Sequence, residues 1–157
     1  MLFFIIFLYS FVGYTFDYIT DMQAKRKVIS TYPLTLKKKI LYFKLDGTFK
    51  DNLGNLGVVD TTNILILQNN NVINLEAYGK IQYQNGEIIY TKSLRNQQEQ
   101  ETGVGYTTYI SASNSLVALI GVKCTYAAKY YEENIFLIQK CRLSEEQKKV
   151  LSTIKND

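Results

Sequence analysis

The chain of 157 residues contains no histidine, so any acid or base chemistry must come from carboxylates, tyrosines, lysines or cysteines. This excludes a Ser-His-Asp triad, a histidine metal ligand and an imidazole pH switch. Asp60 is the best placed carboxylate, since it lies in the strand-like stretch from Val58 to Ile64, and it is our candidate for a catalytic group. An inward carboxylate there would need a partner or a raised pKa. The alternative is a bulge or turn stabilised by the neighbouring threonines, and we expect Glu76 and Glu87 to be solvated.

Cys124 and Cys141 are separated by sixteen residues, and the sequence offers no third ligand for a metal beside them. A zinc site and a Cys-x-x-Cys redox motif are therefore excluded, and we expect neither a metal nor a cofactor. In a secreted chain the two cysteines would form a disulfide that contributes roughly 3 kcal/mol. In a reducing compartment they would be buried free thiols.

The N-terminus carries an uncharged apolar run at residues 2–16, LFFIIFLYSFVGYTF. It is shorter than the roughly 20 apolar residues that a membrane-spanning helix needs, and it fits the apolar part of a secretory signal peptide better. We therefore interpret residues 1–20 as a signal peptide or, alternatively, a membrane anchor. Residues 21–38 are predicted to be a linker or arm that ends near Tyr32-Pro33. A signal peptide implies a secreted or cell-surface protein, and an uncleaved segment would be the contact with a membrane.

The net charge is +4, and the excess lies in two basic runs, Lys25-Arg26-Lys27 and Lys37-Lys38-Lys39. In proteins that bind nucleic acid, such basic residues usually lie within a recognisable binding module that also carries stacking aromatic side chains. No such module is present in the sequence, so we expect no nucleic-acid partner. The runs are interpreted as solvated flanks or as a juxtamembrane anchor.

Residues 39–143 consist of strand-like runs joined by turns, which predicts an all-β domain. The clearest alternation of apolar and polar residues extends from Val72 to Gln84 and ends at Asn85-Gly86, a strong hairpin signal. One face of this strand is predicted to line the barrel interior or a ligand site: Ile73, Leu75, Ala77, Ile81 and Tyr83.

About eight such runs are present, including the apolar stretch Leu116–Lys123, which suits a strand buried on both sides. Short, regularly spaced strands of this kind favour a closed antiparallel barrel of about eight strands with up-and-down connections. Ser144 to Gln147 matches a capping box, so residues 144–157 are predicted to form a short C-terminal helix and tail.

Three segments resemble the dirigent and allene oxide cyclase-like barrel superfamily: Gly57–Val59, Tyr78–Ile89 and Val117–Lys129. In the last of these, Gly121, Tyr126 and an alanine hold the relative places of the family's Gly-Gly-Thr-Gly-x-Tyr/Phe-x-x-Ala motif. The resemblance implies a secreted eight-stranded barrel, lipocalin-like in architecture and often oligomeric. It further implies an apolar cavity that binds or orients a small hydrophobic molecule. It places no catalytic residue on this sequence.

The sequence contains thirteen tyrosines, several of them close together late in the chain. Tyrosine provides large amphipathic contact area at interfaces, although it is also simply a good strand former. The predicted interface residues are Tyr106, Tyr109, Tyr126, Tyr130 and Tyr131.

Together these features favour a non-catalytic, exported β-barrel protein. It would bind a small hydrophobic molecule or serve as a subunit of an extracellular or surface assembly, with copies of itself or other subunits as partners. One alternative is an enzyme, similar to dirigent proteins and allene oxide cyclases, that steers cyclisation or coupling by cavity shape. The other is a membrane-anchored accessory subunit of a larger complex. An apolar cavity inside the barrel would favour ligand binding or the enzyme, and a filled interior would favour assembly.

Overall fold

The computed structural model describes residues 15–99 and 102–154, and these residues form a closed barrel of eight strands. The strands are β1 (Thr15–Thr35), β2 (Lys38–Asp51), β3 (Leu56–Gln68), β4 (Asn71–Tyr83), β5 (Ile88–Glu99), β6 (Thr102–Ala112), β7 (Lys123–Tyr131) and β8 (Asn134–Ser144). Consecutive strands pair antiparallel, and β8 pairs with β1 to close the barrel. A 3₁₀-helix at Asn114–Leu119 precedes β7, and an α-helix, α1, follows β8 at Glu145–Thr153. The predicted all-β antiparallel barrel with a short C-terminal helix is confirmed.

The alternation of side chains along β4 defines the inner and outer faces of the barrel wall. Leu75, Ala77, Ile81 and Tyr83 are all buried, as the period of two predicts. Glu76, between them, lies on the outer face, where its carboxylate forms an ion pair with a lysine of β5. The wall is therefore apolar inside and more polar outside over this stretch.

Ile73 departs from the inward face on which the alternation places it. Val72 pairs with Leu67 and Asn74 pairs with Ile66, so Ile73 is the extra residue of a β-bulge. The bulge shifts the phase of the strand by one residue, which leaves Val72 only 1% exposed and Ile73 36% exposed. The prediction that Ile73 lines the interior is wrong.

Residues 21–38, predicted to be a linker, belong to the first hairpin of the barrel. β1 pairs with β2 as far as Thr35, but its pairing with β8 ends at Lys25. Beyond Lys25, one side of β1 has no neighbouring strand among the residues that the structure describes. Pro33, which has no N–H to donate, is tolerated at such an edge. The part of the N-terminal apolar run before Thr15 lies outside the described residues.

Leu116–Lys123, predicted to be a strand, contains the end of the 3₁₀-helix and the turn that leads into β7 at Lys123. Leu116 and Leu119 are 1% and 0% exposed, whereas Val117 and Ile120 are 52% and 47% exposed. Only one side of the apolar run is therefore buried, and the predicted burial on both sides is wrong. Gly121 has a φ of 89°, a left-handed conformation that glycine adopts without strain and that interrupts an extended chain. The run packs into the core at one end of the barrel rather than adding to its wall.

α1 packs against this same end of the barrel. Ser144 and Gln147 form the predicted capping box, and Gln147 Nε2 also donates to the Ala118 carbonyl at 3.0 Å. Leu151 and Ile154 are buried in the main core cluster. Within the part of the chain that the structure describes, no helix has the length and apolar character needed to cross a bilayer.

Buried side chains inside the wall pack into three clusters. An eight-stranded barrel is about wide enough for its own side chains to fill the interior. The main cluster lies at the end closed by α1 and includes Tyr18, Phe49, Tyr83 and Tyr109. The second centres on Phe43, Leu65 and Leu67, and the third contains Tyr126, Ala128 and Ile135. Much of the interior is thus a packed core.

Candidate functional site

Asp60 does not provide an inward acid. The inward positions on either side of it in β3 include Val59 and Asn63, both buried, and the alternation therefore places Asp60 on the outer face. Its partners across the sheet are Asp46 of β2 and Lys80 of β4. The inward orientation considered for Asp60 is wrong.

The carboxylate that does point inward is that of Asp51, at the end of β2. Its Oδ2 accepts hydrogen bonds from Tyr18 Oη at 2.8 Å and from Asn55 Nδ2 at 2.9 Å. Its Oδ1 accepts from the backbone N–H groups of Leu53 at 2.9 Å and of Asn55 at 2.7 Å. Tyr18 Oη also lies 3.1 Å from Tyr83 Oη. Because both oxygens are used by donors of the protein, we interpret this cluster as a structural one that holds β1 to the turn after β2.

The phenols around Asp51 stay protonated across the physiological pH range. Burial raises the pKa values of Tyr18, Tyr83 and Tyr109, and the nearby Asp51 carboxylate raises them further. A phenol with a raised pKa is a poor base and a poor nucleophile at neutral pH. These three phenols are therefore not activated bases or nucleophiles at neutral pH.

These raised pKa values predict that the protein loses stability in alkali. The unfolded chain ionises its tyrosines near pH 10, whereas the folded chain holds these phenols neutral. Their contribution is complete below about pH 10 and is lost as the pH rises further. We expect the urea concentration at the unfolding midpoint to decrease as the pH rises above about 10. We also expect part of the tyrosinate absorbance to appear only when the far-ultraviolet circular dichroism of the folded barrel is lost. Ionisation of every tyrosine while the barrel remains folded would contradict this prediction.

The predicted tyrosine interface is not a single surface. Tyr106 and Tyr131 are 66% and 64% exposed, but Tyr109 and Tyr126 are 1% and 5% exposed and point into the barrel. Tyr130 is only partly exposed. Because side chains alternate along β6 and β7, tyrosines that are close in sequence lie on opposite faces of the wall. The prediction is wrong for Tyr109 and Tyr126.

Cys124 and Cys141 form a disulfide between β7 and β8. The two residues lie directly opposite each other, with Cα atoms 4.2 Å apart, and both are buried in the main core cluster. The predicted disulfide is present in the structure. It joins two of the four strands whose outer faces form the groove described next.

A groove of about 840 Å³ crosses the outer faces of β6, β7, β8 and β1. We call it the outer-wall groove and define it by six of its lining residues: Asp21, Val104, Ala127, Lys129, Phe136 and Ile138. Val104, Phe136 and Ile138 are 47%, 48% and 58% exposed. On the outer face of an antiparallel barrel in water, polar side chains are expected at such positions.

Strand pairing explains the shape of the groove. Ala127 of β7 lies between Val104 of β6 and Ile138 of β8, each paired directly with it. The alanine methyl is much shorter than the side chains on either side, so the wall is depressed there. Phe136 is paired with Lys129 in the adjacent row. The groove therefore has an alanine floor and walls of larger apolar side chains.

The sequence of β8 contains a signal for this groove that a strict alternation of apolar and polar residues does not include. Ile135 to Ile138 is apolar at every position, although only Ile135 among them is fully buried. A continuous apolar run in an antiparallel strand indicates that both faces of that strand are apolar. In β8 the second face is the groove, and not a second buried layer.

Comparison with models of known protein families gives no match, and comparison with curated proteins gives none either. The resemblance to the dirigent and allene oxide cyclase-like barrels consequently rests on the short motifs in the sequence. It stays a prediction.

Proposed function

We propose that this protein is a non-catalytic β-barrel subunit that self-associates through the outer-wall groove. The observation that carries the proposal is the apolar outer face of β6 to β8, where Phe136 and Ile138 are about half exposed. Contiguous exposed apolar surface on a soluble protein is characteristic of interaction sites. Aromatic and aliphatic side chains around a central depression are also the usual anchors of interfaces.

The charges beside the groove favour a second copy of the chain as the partner. Asp21 pairs with Ile138, and Lys129 pairs with Phe136, so the two charges lie diagonally across β8. A two-fold axis lying in the interface and crossing β8 between Phe136 and Ile138 would bring Asp21 of one copy opposite Lys129 of the other. Such a self-complementary arrangement is typical of two-fold dimers. Among the described residues, Asp21 forms one ion pair, with the exposed Lys50 Nζ at 3.8 Å on its own barrel, and a surface pair of this kind is weak.

The disulfide supports an exported location. Disulfides persist in secreted proteins and at cell surfaces, and they are rare in the reducing cytosol. The bond is buried beneath the strands that bear the groove, and it would keep the contact surface in one shape. The signal peptide or anchor that we predict covers residues 1–20; residues 1–14 lie outside the described part of the chain, and residues 15–20 begin β1.

A small apolar molecule is the second candidate for the groove, because its volume of about 840 Å³ is within the range of ligand sites. Such sites bury most of the ligand, however, whereas the outer-wall groove is open along the barrel surface and has exposed walls. A protein surface covers an open groove better than a small molecule does. The packed clusters inside the wall give no support to an enzyme that steers a reaction within the barrel.

The proposal is tested with Ile138→Lys and with a matched control, Ile64→Lys, which changes an isoleucine on the outer face of β3 that is 36% exposed. In the dimer, Ile138→Lys places a charge in the apolar centre of the interface. We expect the dissociation constant to rise by about 100-fold or more, because removing a charge from water is costly even with Asp21 directly across the strand pair. Ile64→Lys should leave the dissociation constant within a few fold of wild type.

Sedimentation equilibrium over a range of protein concentrations measures both variants against wild type. A wild-type chain that stays monomeric would overturn the proposal. So would an equal effect of the two substitutions. A monomer in which an apolar fluorescent probe is displaced from the groove, with loss of probe binding in Ile138→Lys, would favour the ligand instead.

A further inference from the structure

The β1–β2 hairpin extends past the closed part of the barrel. β8 pairs with β1 only as far as Lys25, whereas β1 and β2 remain paired as far as Thr35 and Lys38. Leu36 and Lys37 form the turn between them. The end of this hairpin thus has a free edge and a tip that faces solvent.

The tip is apolar and unusually exposed. Leu36, in the turn, is fully exposed, and Leu34 is 51% exposed. Three more large side chains on the same arm of the hairpin are about half exposed: Val28, Ile29 and Tyr32. An exposed apolar strand edge of this kind promotes aggregation in water unless a binding partner covers it.

The same segment is strongly basic. Residues 25–39 carry six lysines and arginines and no acidic residue. A recess of about 420 Å³ at the tip is lined by Lys37, Lys38 and Lys39, together with Asn69 and Asn70 of the β3–β4 turn. The Asn69 N–H donates to the Lys37 carbonyl at 2.8 Å, which fixes the two turns to each other. A recess of lysines and amides suits an anionic group rich in acceptor oxygens.

We propose that this hairpin tip docks on an anionic lipid surface. Leu34 and Leu36 enter the boundary between headgroups and acyl chains, and the lysines at 37–39 contact the lipid phosphates and carboxylates. Apolar side chains combined with a basic cluster are what peripheral membrane binding requires. A nucleic acid accounts for the lysines and for a stacking contact with Tyr32, but it leaves Leu34 and Leu36 in water. The charge of the segment selects an anionic membrane over a neutral one.

Co-sedimentation of the full chain with large vesicles tests this docking. One set of vesicles is phosphatidylcholine alone, and the other contains phosphatidylserine as well. We expect binding to the second set to be much tighter and to weaken with added salt. The triple variant Lys37→Gln, Lys38→Gln and Lys39→Gln should bind phosphatidylserine vesicles roughly 100-fold more weakly.

The matched control removes three lysines elsewhere on the barrel, Lys80→Gln, Lys123→Gln and Lys149→Gln, and should bind nearly as well as wild type. Leu34→Asn with Leu36→Asn keeps every charge and should reduce binding at all salt concentrations, since it removes the inserted side chains. All variants share the N-terminal apolar run, so differences between them report on the hairpin.

Three outcomes would overturn the proposal: equal binding of the two vesicle types, no wild-type binding to either, or equal losses in the triple variant and its control. Removal of the lysines at an exposed turn should leave the circular dichroism unchanged, which separates lost docking from lost folding.

Discussion

Asp51→Ala is expected to lower the free energy of unfolding by roughly 3–5 kcal/mol, the largest effect of any single substitution proposed for this barrel. The change removes the acceptor for Tyr18 Oη, for Asn55 Nδ2 and for two backbone N–H groups, all in the closed end of the barrel. Buried donors without an acceptor each cost on the order of 1–3 kcal/mol. Asn55 Nδ2 also donates to the Leu151 carbonyl, so the contact with α1 should loosen as well.

Urea unfolding followed by circular dichroism measures this effect, with Asp60→Ala as the matched control. Asp60 lies on the outer face of β3, and its substitution should change stability by no more than about 0.5 kcal/mol. If Asp51→Ala were as mild as Asp60→Ala, the hydrogen bonds around Asp51 would not be holding the closed end together. If Asp51→Ala does not fold, Asp51→Asn keeps an acceptor oxygen and should recover part of the stability.

Loss of the Cys124–Cys141 disulfide is expected to cost about 3 kcal/mol. The bond links two residues seventeen positions apart, in β7 and β8. Reducing it increases the conformational entropy of the unfolded chain and so favours unfolding. Cys124→Ala with Cys141→Ala removes the bond and both sulfur atoms, which also opens space in the main core cluster. The double variant should therefore be at least as destabilised as the reduced wild-type protein.

Urea unfolding of wild type with and without a thiol reductant isolates the contribution of the bond, because the sequence is the same in both samples. The reduced protein should unfold at a lower urea concentration. Identical midpoints, with thiol titration confirming reduction, would show that the bond adds nothing to stability. The double variant then reports the further cost of the missing sulfur atoms.

The architecture of the barrel could be predicted from the sequence, but not the identity of every strand. The sequence predicts eight strands and the barrel has eight. However, β1 is missing from the predicted strands, and the predicted strand at Leu116–Lys123 is missing from the barrel. The sequence does not predict β1, because polar Thr20 lies between Tyr18 and Met22 and interrupts the row of apolar residues on the inward face. In addition, Pro33 suggests that a strand ends there, whereas β1 continues through Pro33 as an edge strand. Leu116–Lys123 has the apolar content of a buried strand, but content alone does not distinguish a strand from a plug at the barrel end.

The candidate site was harder to predict because it depends on which face each side chain occupies. A bulge of one residue turns Ile73 outward, and the residue types around Ile73 do not indicate that a bulge forms there. Tyr109 and Tyr126 point inward only because of their register with neighbouring strands. The outer-wall groove needs four strands to be placed side by side, which brings Val104, Ala127 and Ile138 into one row. Such long-range pairing cannot be read from local patterns.

The central claim is that two copies of the chain meet through the outer-wall groove, and isotope-filtered nuclear Overhauser spectroscopy tests it most directly. In a mixture of labelled and unlabelled protein, this measurement detects only contacts between copies. We expect cross-copy signals between the Phe136 ring and the methyl groups of Ile138. Cross-copy signals confined to other faces of the barrel, or none at concentrations where the protein sediments as a dimer, would contradict the claim.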